Sequence, residues 1–225
     1  FVLGTDPSTW DENARHTEIL RAYGIEPNWG CLAGIANSAL EGLGNLDEKF
    51  AWIHAHPQVR YYNLFWETTI NPQKTLCFPP EICGRAAAEW NEEEQERINT
   101  YLRFGKTWAQ RARKDAPQIQ LCFGNGFPMF IAAMLRAGFP LEFIDGLGLD
   151  FDMYTSAPED QPSMWYAPFS GIYYLRELRK IYRCEDKPIW LTEAIYCPTS
   201  PIWITERQQA DYYVRAHLLA LAMGV

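Results

Sequence analysis

The sequence lacks the features that define several large classes of protein. No stretch approaches the roughly 18 uninterrupted apolar residues of a membrane-spanning helix, and nothing at the front resembles a signal peptide. Lys and Arg number 20 against 28 Asp and Glu, a net charge of −8. Nucleic-acid proteins carry basic patches, so nucleic acid is not an expected partner of this acidic chain. Without a long apolar stretch, a membrane is not an expected partner either. Only four histidines are present, and no metal site is indicated.

The six cysteines also lack the spacing of a zinc or redox motif, because no pair forms C-x-x-C. Cys77 and Cys83 flank a proline-rich loop and could form a disulfide, although scattered buried thiols fit equally well. The redox compartment is therefore undecided, with a secreted or periplasmic location slightly favoured. The oligomeric state cannot be predicted.

Apolar and aromatic residues are plentiful. The 225 residues are 48% hydrophobic and include 9 Trp, 12 Tyr and 12 Phe. This composition is typical of a soluble globular domain that can bury one large core. The aromatic total exceeds what a core needs, and aromatic faces suit the apolar faces of sugar rings. No linker or low-complexity tract is visible, so residues 1–225 are predicted to form one domain.

Short apolar runs alternate with helical patterns along the whole chain. The predicted strands are Phe1–Asp6, Ile25–Gly30, Val59–Glu67, Ile119–Phe123, Ile144–Tyr154 and Lys187–Glu193. A repeated β-α order predicts parallel strands joined by right-handed crossovers. No G-x-G-x-x-G follows any strand, which disfavours a doubly wound dinucleotide-binding sheet. The prediction is a (β/α)8 TIM barrel, of which this sequence covers about strand two to helix seven.

Polar residues stand where the predicted strands end, and barrel enzymes hold their active sites at the C-terminal ends of the strands. These residues are Asp6, Asn28, Glu67, Asn125, Asp150 with Asp152, and Glu193. Two of them are glutamates that end aromatic-rich strands, in the sequences LFWE and IWLTE. Glycoside hydrolysis requires such a pair of carboxyl groups. Taken singly, either glutamate could instead cap a helix or pair with an arginine.

The sequence KPIWLTE, followed by TERQQADYYVRAHLLALAMGV, resembles the clan A glycoside hydrolases, in which the nucleophile Glu ends strand seven. VRYYNLFWE resembles strand four of those enzymes, which ends in the acid/base Glu. The resemblance runs from strand two to helix seven and is strongest over the last 40 or so residues. It implies a retaining glycosidase with Glu67 as general acid/base and Glu193 as nucleophile, and it implies no cofactor.

Two departures from the family pattern accompany this resemblance. Trp66 stands where the family usually has Asn before the acid/base Glu, and Asp150-Phe151-Asp152 stands where strand six usually ends in H-x-Y. Candidate substrate-binding residues are Asn28, Trp29, Trp66, Asn125, Asp150, Asp152, Tyr154, Tyr196 and Trp203, with Trp165 on the same predicted face. Any of the tryptophans could instead serve core or loop packing.

Three alternative interpretations remain open. The Trp66 departure is compatible with a barrel that binds carbohydrate without cleaving it. A metal-dependent barrel hydrolase or lyase would need His or carboxylate ligands at the strand ends, where no His occurs. A doubly wound binding protein is the remaining alternative. On the barrel interpretation, strand one would lie upstream and strand eight would begin near Val225, so the barrel would be incomplete at both ends.

Overall fold

The computed structural model describes residues 10–25, 28–29, 46–65, 85–124, 128–154, 157–159, 168–196 and 204–225. The helices are α1 (Trp10–Ala22), α2 (Leu46–Ala55), α3 (Glu92–Asp115), α4 (Pro128–Arg136), α5 (Pro168–Tyr182) and α6 (Glu206–Ala222). The strands are β1 (Asn28–Trp29), β2 (Tyr61–Asn63), β3 (Gln120–Phe123), β4 (Gly146–Tyr154) and β5 (Ile189–Tyr196). In these ranges no helix is long and apolar enough to cross a membrane.

The five described strands form one parallel sheet in the order β1-β2-β3-β4-β5. Each strand is paired with its neighbour in sequence, and the order never reverses. A doubly wound sheet reverses its order at a switch point and carries helices on both faces. A sequential order with right-handed crossovers places all the connecting helices on one face, as a barrel does. The described strands therefore have the winding of a half-barrel, and the predicted α/β class is confirmed.

Two of the helices begin at capping boxes, which are local signals in the sequence. Asn91 accepts a hydrogen bond from the backbone N–H of Glu94, whose carboxylate accepts one from the Asn91 N–H in return. Thr205 and Gln208 form the same capping box at the start of α6. Each box satisfies N–H groups that a helix start otherwise leaves without partners.

The strand limits differ from the prediction in three places. Of the strand predicted over Ile25–Gly30, Asn28–Trp29 form β1 and Ile25 lies outside it, whereas residues 26, 27 and 30 are outside the described residues. β2 ends at Asn63, so the prediction that this strand continues to Glu67 is wrong; Leu64 makes one more backbone bond, to the Cys122 carbonyl at 2.8 Å. β5 runs three residues beyond Glu193, because its pairing with β4 continues to Tyr196.

A cluster of aromatic side chains holds β2 and β3 against α3 and α4. Phe65 stands at its centre and is 1% exposed. Its ring centroid lies 5.3 to 6.0 Å from those of Phe130, Phe123, Tyr101 and Phe104. Such separations suit tilted and edge-on aromatic pairs, which add about 0.5–1.5 kcal/mol each beyond the buried area. The chain therefore leaves β2 in order to bury Phe65, two residues before Glu67.

The N-terminal ends of the strands are joined by structural polar contacts. Arg113, in the last turn of α3, donates to the Asp145 carboxylate at 2.6 Å and to the Phe143 carbonyl at 2.7 Å. The same carboxylate accepts the backbone N–H of Leu121 at 2.7 Å. Lys187 donates to the carbonyl of Ile144 at 2.7 Å. These charged groups are used to fasten strands to helices at the end of the sheet opposite to a barrel active site.

Gly148 allows β3 and β4 to approach closely on the face away from α5. A Cβ atom there would lie 2.1 Å from the Gly124 carbonyl oxygen and 2.6 Å from Cys122 Sγ. Backbone atoms cannot give way cheaply, so we expect Gly148→Ala to lower the free energy of unfolding by about 3 kcal/mol, measured by urea titration. Gly171→Ala is the matched control, since a Cβ there meets only the flexible end of Leu149, at 3.0 Å, and Ala favours helix. Equal losses in the two variants would contradict the close approach.

Two of the six cysteines, Cys122 and Cys184, lie within the described residues, and both are free and buried. This agrees with the alternative of scattered buried thiols for that pair. Cys77 and Cys83, for which a disulfide was considered, lie outside the described residues.

Candidate active site

The ladder between β4 and β5 changes register at its centre. Leu149 is paired with Leu191, and the next pair is Asp150 with Glu193. Thr192 is therefore an additional residue in β5, as in a β-bulge, which bends a strand and re-aims the side chains around it. A second irregularity follows, between Asp152 and Tyr154, where Tyr154 is paired with Tyr196. Bulges are common beside active sites.

The bulged residue is tied to β4 through its side chain. The Thr192 hydroxyl lies 2.5 Å from Asp150 Oδ1 and 3.1 Å from the carbonyl oxygen of Leu149. The shorter contact identifies the carboxylate as the principal acceptor of its proton. Asp150 is only 5% exposed, and a buried carboxylate requires donors of this kind. Asp150 also lies inside β4, four residues before its end, rather than at the strand end that the sequence predicts.

Cys122 lies in β3, the strand next to β4, and its thiol is unreactive. Its thiol is completely buried and donates to the Gly124 carbonyl at 3.6 Å. Burial, with a smaller contribution from the charge of Asp150, raises the pKa of the Cys122 thiol well above its ordinary value. A thiol that stays protonated is neither a nucleophile nor a metal ligand at neutral pH.

The sheet brings several of the predicted site residues together on neighbouring strands. Asp150, Asp152 and Tyr154 belong to β4, and Glu193 and Tyr196 to the adjacent β5. Asn28 and Trp29 make up β1, beside β2 at the other edge of the described sheet. The other predicted site residues lie outside the described residues: Asp6, Trp66, Glu67, Asn125, Trp165 and Trp203. Two strands, β3 and β4, separate β2 from β5, as the strand count predicts.

Two polar residues of this region, the half-buried Thr192 and the buried Asn63, are missing from the sequence prediction. Thr192 was not singled out, because its importance depends on a register shift that no local pattern reveals. Asn63, at the end of β2 and 3% exposed, is paired with Cys122 in β3. An amide among aromatic residues in the sequence YYNLF is the one signal that could have drawn attention to Asn63.

An apolar cavity of about 310 Å³ lies away from these residues. Its walls include Tyr61, Trp190, His217, Leu221 and Val225. Tyr61 and Trp190 stand at the beginnings of β2 and β5, so the cavity is at the N-terminal end of the sheet. Barrel active sites lie at the other end, and we do not assign the cavity to the site. Within the described ranges, no group of three or more His, Cys, Asp or Glu could hold a metal ion.

Comparison with known proteins gives a distant structural likeness and no match at the level of sequence. No family model matches the sequence, and no curated protein matches it. Among solved structures, the chain is similar to a psychrophilic glycoside hydrolase family 10 endo-β-1,4-xylanase, with 17% sequence identity and a TM-score of 0.48. The alignment covers 96% of this chain and 69% of the xylanase. A likeness of this extent identifies neither catalytic residues nor a substrate.

Proposed function

We propose that this chain is a glycoside hydrolase with the fold of a (β/α)8 barrel, and that it cleaves an oligo- or polysaccharide with retention of configuration. The observation that carries the proposal is the sequence KPIWLTE, whose Glu193 stands in β5 in register with the buried Asp150 of β4. The segment that follows β2 leads to Glu67 after only three further residues. Two strands between these elements give the spacing of paired carboxylates in clan A enzymes.

The proposed reaction is a double displacement. In the first step the Glu193 carboxylate attacks the anomeric carbon, the glycosidic C–O bond breaks, and Glu67 donates a proton to the departing oxygen. In the second step Glu67 removes a proton from water, the water oxygen bonds to the anomeric carbon, and the bond to Glu193 breaks. This chemistry requires the two carboxyl groups to lie about 5–5.5 Å apart. It requires no metal or organic cofactor.

The remaining site residues are proposed to bind the sugar. Aromatic rings can stack on sugar faces, whereas amides and carboxylates can accept or donate hydrogen bonds at hydroxyl groups. The proposed set consists of Asn28, Trp29, Trp66, Asn125, Asp152, Tyr154, Tyr196 and Trp203, whereas Asp150, at 5% exposed, is too deeply buried for this role. Because Trp66 replaces the usual Asn, a barrel that binds carbohydrate without cleaving it is the second candidate.

Trapping the covalent intermediate tests the proposal. The protein would be incubated with 2,4-dinitrophenyl 2-deoxy-2-fluoro glycosides of the common hexoses and pentoses, in both anomeric forms. We expect one of them to add a single fluorosugar to the intact mass, and peptide mapping to locate it on Glu193. A label on another residue would overturn the assignment of the nucleophile. Sugar binding by calorimetry without labelling or hydrolysis of any glycoside or polysaccharide would favour the binding-only barrel.

A further inference from the structure

The register shift in β5 changes the residue of β4 with which Glu193 is paired. In a regular parallel ladder, successive residues alternate between the two faces, and paired residues share a face. Leu149, which is paired with Leu191, packs against Gly171 of α5 and so marks the helix-covered face. In a regular ladder Thr192 would be paired with Asp150. A residue at position 193 would then stand two positions beyond Leu191 and share the covered face. With the extra residue, Glu193 is paired with Asp150 instead.

The shift is held by a side-chain contact at its own position. A bulged residue is left unpaired in the backbone ladder, so a side-chain contact at that position can fix the register. The Thr192 hydroxyl supplies this contact, at 2.5 Å from Asp150 Oδ1 and 3.1 Å from the Leu149 carbonyl oxygen. Both acceptors belong to the β4 residues on either side of the shift. Burial of Asp150 excludes water as a competing partner and strengthens the contact.

We propose that Thr192 and Asp150 are positioning residues: their hydrogen bond fixes the bulge that turns Glu193 away from the helices and toward bound substrate. This inference rests on the proposed function, in which Glu193 is the nucleophile. It gives Asp150 a role through Thr192 rather than a direct contact with sugar. It also gives the Thr192 hydroxyl, immediately before the proposed nucleophile, a role that an apolar side chain of the same shape could not fill, because such a side chain could not bridge the two strands.

Two substitutions of Thr192 separate the hydroxyl from the shape of the side chain. Thr192→Val keeps the shape and removes the hydroxyl, and we expect kcat to fall about 100-fold with little change in KM, as small misplacements of a reacting group do. Thr192→Ser restores the hydroxyl and should recover kcat to within about fivefold of wild type. Thr107→Val is the matched control, because Thr107 also donates one hydrogen bond, to the Arg103 carbonyl at 2.8 Å, on the exposed side of α3. Unchanged kcat in Thr192→Val would overturn the proposal.

A double-mutant cycle tests whether Asp150 acts through Thr192. Asp150→Ala removes the acceptor and should reproduce the loss seen in Thr192→Val, and the double variant should lose little more than either single variant. Independent losses that multiply would overturn the coupling. Asp150→Asn keeps an oxygen for the threonine proton, so kcat should fall less than about 10-fold. A large rise in KM in Asp150→Asn would instead show that Asp150 binds the substrate directly, against the proposal.

A structural measurement keeps this inference separate from the proposed function. Crystal structures of the wild type and of Thr192→Val would show the pairing of β4 with β5. We expect the bulge in the wild type, and in the variant a regular ladder or a displaced Glu193. An identical register in both would refute the positioning role whether or not the protein hydrolyses any glycoside. If the register changes but the wild type cleaves no substrate, the bulge-holding contact stands and the glycosidase proposal fails.

Discussion

Under the proposed function, Glu193→Gln is expected to lower kcat on every glycoside by on the order of 10⁴-fold or more, because Glu193 is the group that forms the covalent intermediate. Glu67→Gln should behave differently. A good leaving group such as 2,4-dinitrophenolate needs no proton, so the first step survives and the intermediate accumulates, whereas poor leaving groups should lose about 10²–10⁴-fold. The measurement is kcat on aryl glycosides that differ in the pKa of the phenol. Glu18→Gln, at an exposed position of α1, is the control.

The free energy of unfolding of Glu193→Gln distinguishes a catalytic role of Glu193 from a structural role. Its position is in register with Asp150 on a neighbouring parallel strand, and such positions lie about 4.8 Å apart. Under the proposal that the two side chains share a face, their carboxylates repel each other when both are ionised, so removing one should relieve the folded state. We expect Glu193→Gln to unfold in urea at the same or a higher midpoint than wild type, with the free energy of unfolding raised by up to about 1 kcal/mol. A clear loss of stability would indicate a structural ion pair and contradict the nucleophile assignment.

The helices could be predicted from the sequence because their determinants are local. The capping boxes at Asn91 and Thr205 are short patterns, and each marks its helix start to within one residue. The parallel order of the strands also follows from the alternation of elements, since the crossovers permit few other arrangements. The described strands follow one another in sequence order, as in a barrel. This order excludes the doubly wound alternative for those strands.

The strand limits and the contacts of the site could not be predicted in the same way. Strand propensity continues through Leu64 and Phe65, but these side chains pack against helices that the chain reaches only later. The Thr192–Asp150 bond joins residues 42 positions apart and depends on a one-residue shift in pairing. The alternation of apolar and polar residues along a strand does not show where such a shift in pairing occurs. The prediction therefore identified Asp150 as a candidate but placed it at a strand end.

Phe65→Ala is expected to cause a large loss of stability, about 4 kcal/mol in the free energy of unfolding. The ring is 1% exposed, and a Cβ at Gly105 of α3 would lie 2.6 Å from Phe65 Cζ, so helix and ring are in close contact. Removing it leaves a cavity that a rigid aromatic cluster cannot refill. The measurement is urea unfolding with the m-value held constant. Tyr23→Ala, at an 80% exposed position, should change stability by less than about 0.5 kcal/mol.

The position of Phe65 in the chain also predicts an effect on activity that stability alone does not. Phe65→Leu should cost about 1–2 kcal/mol and leave the protein folded at 25 °C. Phe65 anchors the segment that continues to Glu67, so a looser anchor should lower kcat about 10-fold under the proposed function.

Phe104→Leu is the matched variant for this test. Phe104 is equally buried and its ring centroid is 6.0 Å from that of Phe65, but it belongs to α3 and is distant from Glu67 in the sequence. We expect a similar loss of stability with kcat close to wild type. Equal losses of kcat in both variants would mean that the aromatic cluster supports the whole fold and does not specifically position the acid/base residue. A loss confined to Phe65→Leu would connect the packing of β2 directly to the chemistry that follows it.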